Sequence, residues 1–165
     1  MFDSSTALRL RAIGLSDALV ERLHTGAPAG AQPGPQRVTE VQREGVTLHD
    51  GLSERAARLL PALRQRLAEQ SDALAVGDWV WADCNPHGEW WVHTRVPPLN
   101  QLARRLHDGR DKVTRTVIVS NVDTAVLVMG LDADYSPRRI ERYLALARIA
   151  GVSSLVVLTK ADLCA

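Results

Sequence analysis

The sequence predicts an α+β chain of more than one domain: a small antiparallel β-barrel, then a β-α-β unit. Two observations carry this. Residues 37–96 break into short strand-like runs separated by turn signals. Residues 124–159 hold two continuous apolar runs on either side of a helical segment with its own start and stop signals. Size and composition agree: 165 residues, 45% hydrophobic and 24% charged, suffice for the cores of one or two small domains.

Residues 7–25 read as helical, with Ser16 as an N-cap ahead of Leu19, Val20 and Leu23. Residues 26–36, rich in Pro, Gly and Ala, have nothing to bury and read as a linker. Val38–Gln42 and Val46–His49 flank Arg43-Glu44-Gly45 as a hairpin, and residues 78–83 and 89–95 flank a second turn at Cys84-Asn85-Pro86-His87-Gly88. Between the hairpins, residues 54–70 are ambiguous. Strong helix formers fill the stretch, with Leu59, Leu63 and Leu67 at helical spacing, but Pro61 would interrupt a helix there. These residues by themselves leave helix and strand open. The expected domains are a helical segment with linker at 1–36, the barrel at 37–100, a basic connector at 101–116, and the start of a second domain at 117–165.

In that second domain, Thr124–Leu131 is apolar throughout, as in a parallel strand covered on both faces. Ser136 is placed to cap a helix with Pro137 at its first position, and Gly151 to end it. Ile140, Tyr143, Leu144 and Ala147 share one face of that helix, and Ser154–Thr159 is the second strand. The unit should cross over right-handed and pair in parallel.

The second strand runs directly into Thr159-Lys160-Ala161-Asp162. A carboxylate at Asp162 can accept two hydrogen bonds at once, from the ring N–H and the exocyclic amine of guanine. Adenine offers no such pair of donors, so the site would reject it. The aliphatic stem of Lys160 can lie along a base plane while its ammonium stays wet. The tip of a parallel strand is also where ligands sit in α/β sheets. Four residues alone are a weak signal, and many surface loops read Lys-Ala-Asp.

A phosphate-holding Gly-x-x-x-x-Gly-Lys-Ser/Thr loop is absent. The only lysines are Lys112 and Lys160, followed by Val113 and Ala161. Either a nucleotide-binding domain is circularly permuted and cut short, or the motif is accidental.

In combination, four stretches resemble the N-terminal part of the circularly permuted GTPases that act in small-subunit maturation, the RsgA or YjeQ family. They are Val76-Gly77-Asp78-Trp79-Val80, Val119-Ser120-Asn121-Val122-Asp123-Thr124, Arg138-Arg139-Ile140-Glu141-Arg142-Tyr143-Leu144 and Val157-Leu158-Thr159-Lys160-Ala161-Asp162-Leu163. The resemblance covers about residues 36–163, with a weaker echo at Leu10–Leu15. It implies an OB-fold barrel, which favours a strand over Ala56–Leu60, then the first β-α-β unit of a P-loop-type α/β GTPase domain, with Thr159, Lys160 and Asp162 reading guanine. It also implies GTP or GDP with Mg²⁺ in the complete protein, and zinc in a C-terminal part. The phosphate loop, switches and zinc ligands would then lie beyond Ala165, and these residues alone would hold no cofactor and hydrolyse no GTP. The expected partners are the small ribosomal subunit, its rRNA and a guanine nucleotide, with no membrane, for a cytoplasmic monomer. Two departures stand out. Thr159 replaces the usual Asn, and Val96-Pro97-Pro98-Leu99 stands where the family often has Leu-Pro-Arg-Arg. The alternative is a stand-alone RNA-binding barrel whose β-α-β tail is structural.

For RNA, the candidates are Arg95, Arg104, Arg105, Arg110, Lys112 and Arg115, a cluster that could contact phosphates without reading sequence. A solvated linker face explains the same run. Trp79, Trp81, Trp90 and Trp91 lie in one hairpin, where bases could stack. Alternation puts Trp79 and Trp81 on one face and splits Trp90 from Trp91, so packing is the simpler account. Arg138 and Arg139 oppose the helix dipole at a helix start, which hints at a contact.

The net charge of +1 argues for no polyanion globally, and the two cysteines make neither a disulfide framework nor a zinc site. His49, His87, His93 and His107 lack metal spacing. Met1-Phe2-Asp3-Ser4-Ser5 lacks the features of a signal peptide, and no apolar run could span a bilayer.

Overall fold

A computed structural model describes residues 4–26, 33–107 and 113–163, with the backbone alone at 105–107 and 113–115. Two compact units divide the chain, Met1–Leu99 and Asn100–Ala165.

In the first unit, helices α1 (Ser4–Ala12) and α2 (Asp17–Thr25) precede five strands: β1 (Gly34–Val41), β2 (Val46–His49), β3 (Glu54–Leu59), β4 (Trp79–Cys84) and β5 (Trp90–Arg95). The strands close in the order β1-β2-β3-β5-β4, antiparallel except where β3 meets β5. Helix α3 (Pro61–Glu69) lies between β3 and β4 in the chain. This small closed barrel is an OB-fold. Its interior is Val38, Val46, Leu48, Ala57, Val80, Ala82 and Val92, with Leu63 and Leu67 of α3 buried against them.

Residues 54–70 therefore divide at Pro61. Strand β3 pairs Val46 with Ala57 and His49 with Glu54. Pro61 then opens α3 at a position where its missing N–H costs nothing, rather than breaking a helix already under way.

Strand β4 is buried on both faces. Val80 and Ala82 point into the barrel, while Trp79 and Trp81 point outward under Leu10, Leu15, Leu19 and Leu23 of the N-terminal helical segment. Ser16 caps α2, its Oγ accepting from the N–H of Leu19 at 3.4 Å. Arg22 ties α2 to the end of the unit, donating to the carbonyl oxygens of Pro97 (3.0 Å) and Pro98. The linker expected at 26–36 is shorter at its C-terminal end: β1 starts at Gly34, and Gly34–Arg37 pair with Ala82–Trp79. Residues 27–32 lie outside the described part.

The second unit begins with strands β6 (Gln101–His107) and β7 (Val113–Ser120). These are antiparallel partners, with Gln101 opposite Ser120 and His107 opposite Val113. The basic connector expected at 101–116 is thus mostly hairpin. Asn100 closes its base: Nδ2 donates to the Val122 carbonyl at 2.9 Å, and Oδ1 accepts from the Val122 N–H at 2.8 Å. That side chain imitates a strand neighbour.

Strands β8 (Thr124–Gly130) and β9 (Ser153–Thr159) pair in parallel, joined through α4 (Pro137–Ile149). Gly151 ends α4 at φ +69°, a conformation that costs a glycine least. Its N–H donates to the Arg148 carbonyl at 3.1 Å. Coverage of the strands differs from the expectation. Val126, Val128, Leu155 and Leu158 are exposed, because among the described residues this sheet has two strands and one helix against it. Met129, Ala147 and Val152 are the buried apolar residues of this β-α-β unit. No helix among the described residues is long and apolar enough to cross a membrane.

Candidate functional site

The parallel register brings the C-terminal ends of β8 and β9 together, Gly130 opposite Thr159. The ladder continues one bond further, from the Leu131 N–H to the Thr159 carbonyl at 2.8 Å. Thr159 Oγ1 lies 3.4 Å from the Met129 carbonyl and donates back across the same pair of strands. The chain then turns sharply. Lys160 adopts φ +58°, a left-handed conformation uncommon for a residue with a Cβ. Ala161–Leu163 form a single 3₁₀ turn closed by the Leu163 N–H on the Lys160 carbonyl at 3.1 Å. Strain of this kind concentrates at functional sites, where surrounding bonds impose it.

Asp162 sits in that turn, exposed, and its carboxylate has no hydrogen-bond partner among the described residues. Its acceptor oxygens are therefore available to two donors on one ligand edge. Lys160 is exposed but occupied: its ammonium pairs with Asp132, in the loop after β8. Each group holds the other's charge. The hydrogen bond from Lys160 keeps the Asp132 carboxyl below the usual carboxylate range, helped by the Asp134 N–H at 3.1 Å. The same hydrogen bond raises Lys160.

Arg139 bonds Asp134 through both terminal nitrogens, at 2.9 and 3.0 Å, and that fork holds Asp134 below its ordinary range. The acidic partner answers the dipole misfit seen at Arg139 in the sequence, while Arg138 remains exposed.

The basic set divides between the two units, and part of it lies outside the described residues. Arg95 is an internal residue of the barrel unit, its side chain only 8% exposed. Its Nη1 bonds Asp72 at 2.7 Å, and its Nε lies 3.0 Å from Asp78 Oδ2. Arg95 is thus engaged by two carboxylates inside the barrel unit, which leaves little of its side chain for a phosphate contact. Arg104 is exposed on β6, and Arg105 stands opposite Arg115 in the hairpin register. Arg110 and Lys112 lie outside the described residues.

Among the tryptophans, Trp79 and Trp81 are packed under the N-terminal helices. Trp90 is half-buried, and Arg55 already lies over its ring, 4.4 Å from the centroid. Among the described residues, no group of three His, Cys, Asp or Glu side chains is placed to hold a metal.

An OB-fold barrel, followed by a parallel β-α-β unit that runs into Thr-Lys-x-Asp, defines the architecture. Residues 97–165 match the family model described as RsgA GTPase. The chain is 39% identical over 136 residues to the small ribosomal subunit biogenesis GTPase RsgA of Syntrophotalea carbinolica, covering 79% of this chain and 37% of that protein. It is 40% identical over 98 residues to the protein of the same name from Leptospira interrogans, covering 59% of this chain and 27% of the relative. The chain thus spans little more than a third of these relatives at most.

The crystal structure of YjeQ from Thermotoga maritima shares the fold with a TM-score of 0.56 at 20% identity, over 79% of this chain and 42% of that one. YloQ, a circularly permuted GTPase, also gives 0.56, at 18% identity over 84% of this chain and 45% of that one.

Proposed function

We propose that the chain is the N-terminal part of a GTPase that binds the small ribosomal subunit and assists its late maturation in the cytoplasm, converting GTP to GDP and phosphate. The barrel and the β6–β7 hairpin would dock on rRNA, and Thr159, Lys160 and Asp162 would read guanine. The observation that carries the nucleotide reading is the exposed Asp162 carboxylate, free of partners among the described residues, at the C-terminal end of a parallel strand. Its two oxygens fit the two donors on guanine's edge.

When bound, Mg²⁺ would neutralise charge on the nucleotide's phosphates. Phosphate positioning would fall to residues other than these, as would the zinc that the family resemblance implies. Within the present residues, Asp162 selects the base, Lys160 covers its plane, and Thr159 braces the strand ends.

A nucleotide titration of the protein expressed from its complete reading frame tests the assignment. Asp162→Asn exchanges one acceptor for a donor, which suits the extra carbonyl of xanthine. The variant should lose GTP and gain xanthosine triphosphate. Unchanged preference for GTP would remove Asp162 from the base-reading role.

A further inference from the structure

The stem of Lys160 is held at three points. At its root, the left-handed backbone is locked between the Leu131–Thr159 and Leu163–Lys160 hydrogen bonds. Midway, the stem crosses Gly130 so closely that a Cβ there would stand 3.2 Å from Lys160 Cδ and 3.2 Å from the Asp132 carboxylate oxygens. At its tip, the ammonium meets Asp132. Lysine is otherwise a flexible point charge on a four-carbon stem, poorly suited to present a flat apolar edge.

We propose that Asp132 is a positioning residue for nucleotide recognition: it fixes Lys160 so that the solvent-facing side of the lysine stem forms a platform for the purine ring. The inference rests on the reading of Thr159–Asp162 as the base-reading segment.

Three features make Asp132 suited to this. It is itself held, accepting from the Asp134 N–H at 3.1 Å. Arg139, a few residues on, is engaged by both oxygens of the neighbouring Asp134. And the Lys160 side chain stays 55% exposed even while paired, so one side of the stem remains open to a ligand. Exposed ion pairs add little to fold stability. The main effect of this pair is to remove freedom that the lysine would otherwise lose on binding.

The platform touches the ring face and not the exocyclic group, which yields a signature distinct from that of Asp162. With the protein expressed from its complete reading frame, titration calorimetry with GDP and with inosine diphosphate should show Asp132→Asn weakening both by the same factor, about two- to fivefold as for an exposed ion pair. The ratio of the two affinities should stay at the wild-type value. Asp132→Glu should recover part of the loss. In a Lys160→Ala background, Asp132→Asn should add nothing, since its effect passes through the lysine.

Thermal unfolding of each variant separates a binding effect from a folding one. Wild-type affinity in Asp132→Asn, or an equal loss in the Lys160→Ala background, overturns the proposal. If Asp162→Asn switches preference toward xanthine while Asp132→Asn is silent, only the positioning role falls. If Asp162→Asn keeps the guanine preference, the base-reading assignment falls and the positioning role with it.

Discussion

Arg95 Nε lies 3.0 Å from Oδ2 of Asp78, a carboxylate whose side chain is fully buried. The Ala75 N–H donates to that oxygen at 2.8 Å, and Arg95 Nη2 donates to Oδ1 at 3.2 Å. Asp78 closes the turn into β4, and its backbone carbonyl accepts from the Val38 N–H of β1 at 2.8 Å. One ion pair therefore ties the last barrel strand to the turn that starts β4. Burying such charges is costly, and removing one partner leaves the other uncompensated.

Arg95→Ala should therefore destabilise the barrel by about 3–5 kcal/mol, the usual cost of breaking a buried pair. Urea unfolding measures it. A variant as stable as wild type would mean that Asp72 and Asp78 find water instead.

Trp79 is fully buried between β4 and the N-terminal helical segment. Truncating it to Ala should cost about 3–5 kcal/mol, as for other buried aromatics. Backbone amides of α2 should exchange with deuterium faster in the variant, because α2 rests on that ring through Leu19 and Leu23. A small loss of stability with unchanged exchange would show that the helices are held by other contacts.

If the β6–β7 hairpin docks on RNA, binding to small subunits should be weak and fall steeply with salt. Replacing Arg104, Arg105 and Arg110 with Ala should reduce the slope by about one for each phosphate that is no longer neutralised. A slope identical to wild type would return these residues to a solvated surface and direct attention to the barrel face.

Residues 1–165 by themselves should release no phosphate from GTP above background. Hydrolysis is mainly phosphate positioning and charge stabilisation. Neither lysine, Lys112 or Lys160, belongs to a phosphate loop. Turnover that co-purifies with the chain and survives Asp162→Asn would reveal a phosphate site built from other residues.

Local signals were enough for much of the architecture. Turn residues at 43–45 and 84–88 mark both barrel hairpins, as observed between β1 and β2 and between β4 and β5. Ser16 caps α2, Pro137 opens α4, and Gly151 takes the left-handed conformation that ends it. Two apolar runs became the parallel pair β8 and β9. Each feature depends on what a residue does to its own backbone or on a periodicity within a few neighbours, so a single chain displays it. The candidate residues Thr159, Lys160 and Asp162 could be singled out for the same reason, being nearly consecutive in sequence and next to an apolar strand.

Tertiary structure decided what depends on distant partners. Residues 54–59 are strand because β2 and β5 flank them, although their composition favours helix. Gln101–His107 are strand because β7 supplies the other half of a hairpin, although arginines interrupt the apolar pattern. Arg95 looked like its basic neighbours until the fold set it against Asp72 and Asp78, 23 and 17 residues earlier. Asp132 showed no link to Lys160 across 28 residues. It acquires one because parallel pairing aligns Gly130 with Thr159 and brings the two strand ends to the same edge. Propensity and spacing are properties of a segment; charge pairing and burial are properties of a register, which exists only once the strands have met.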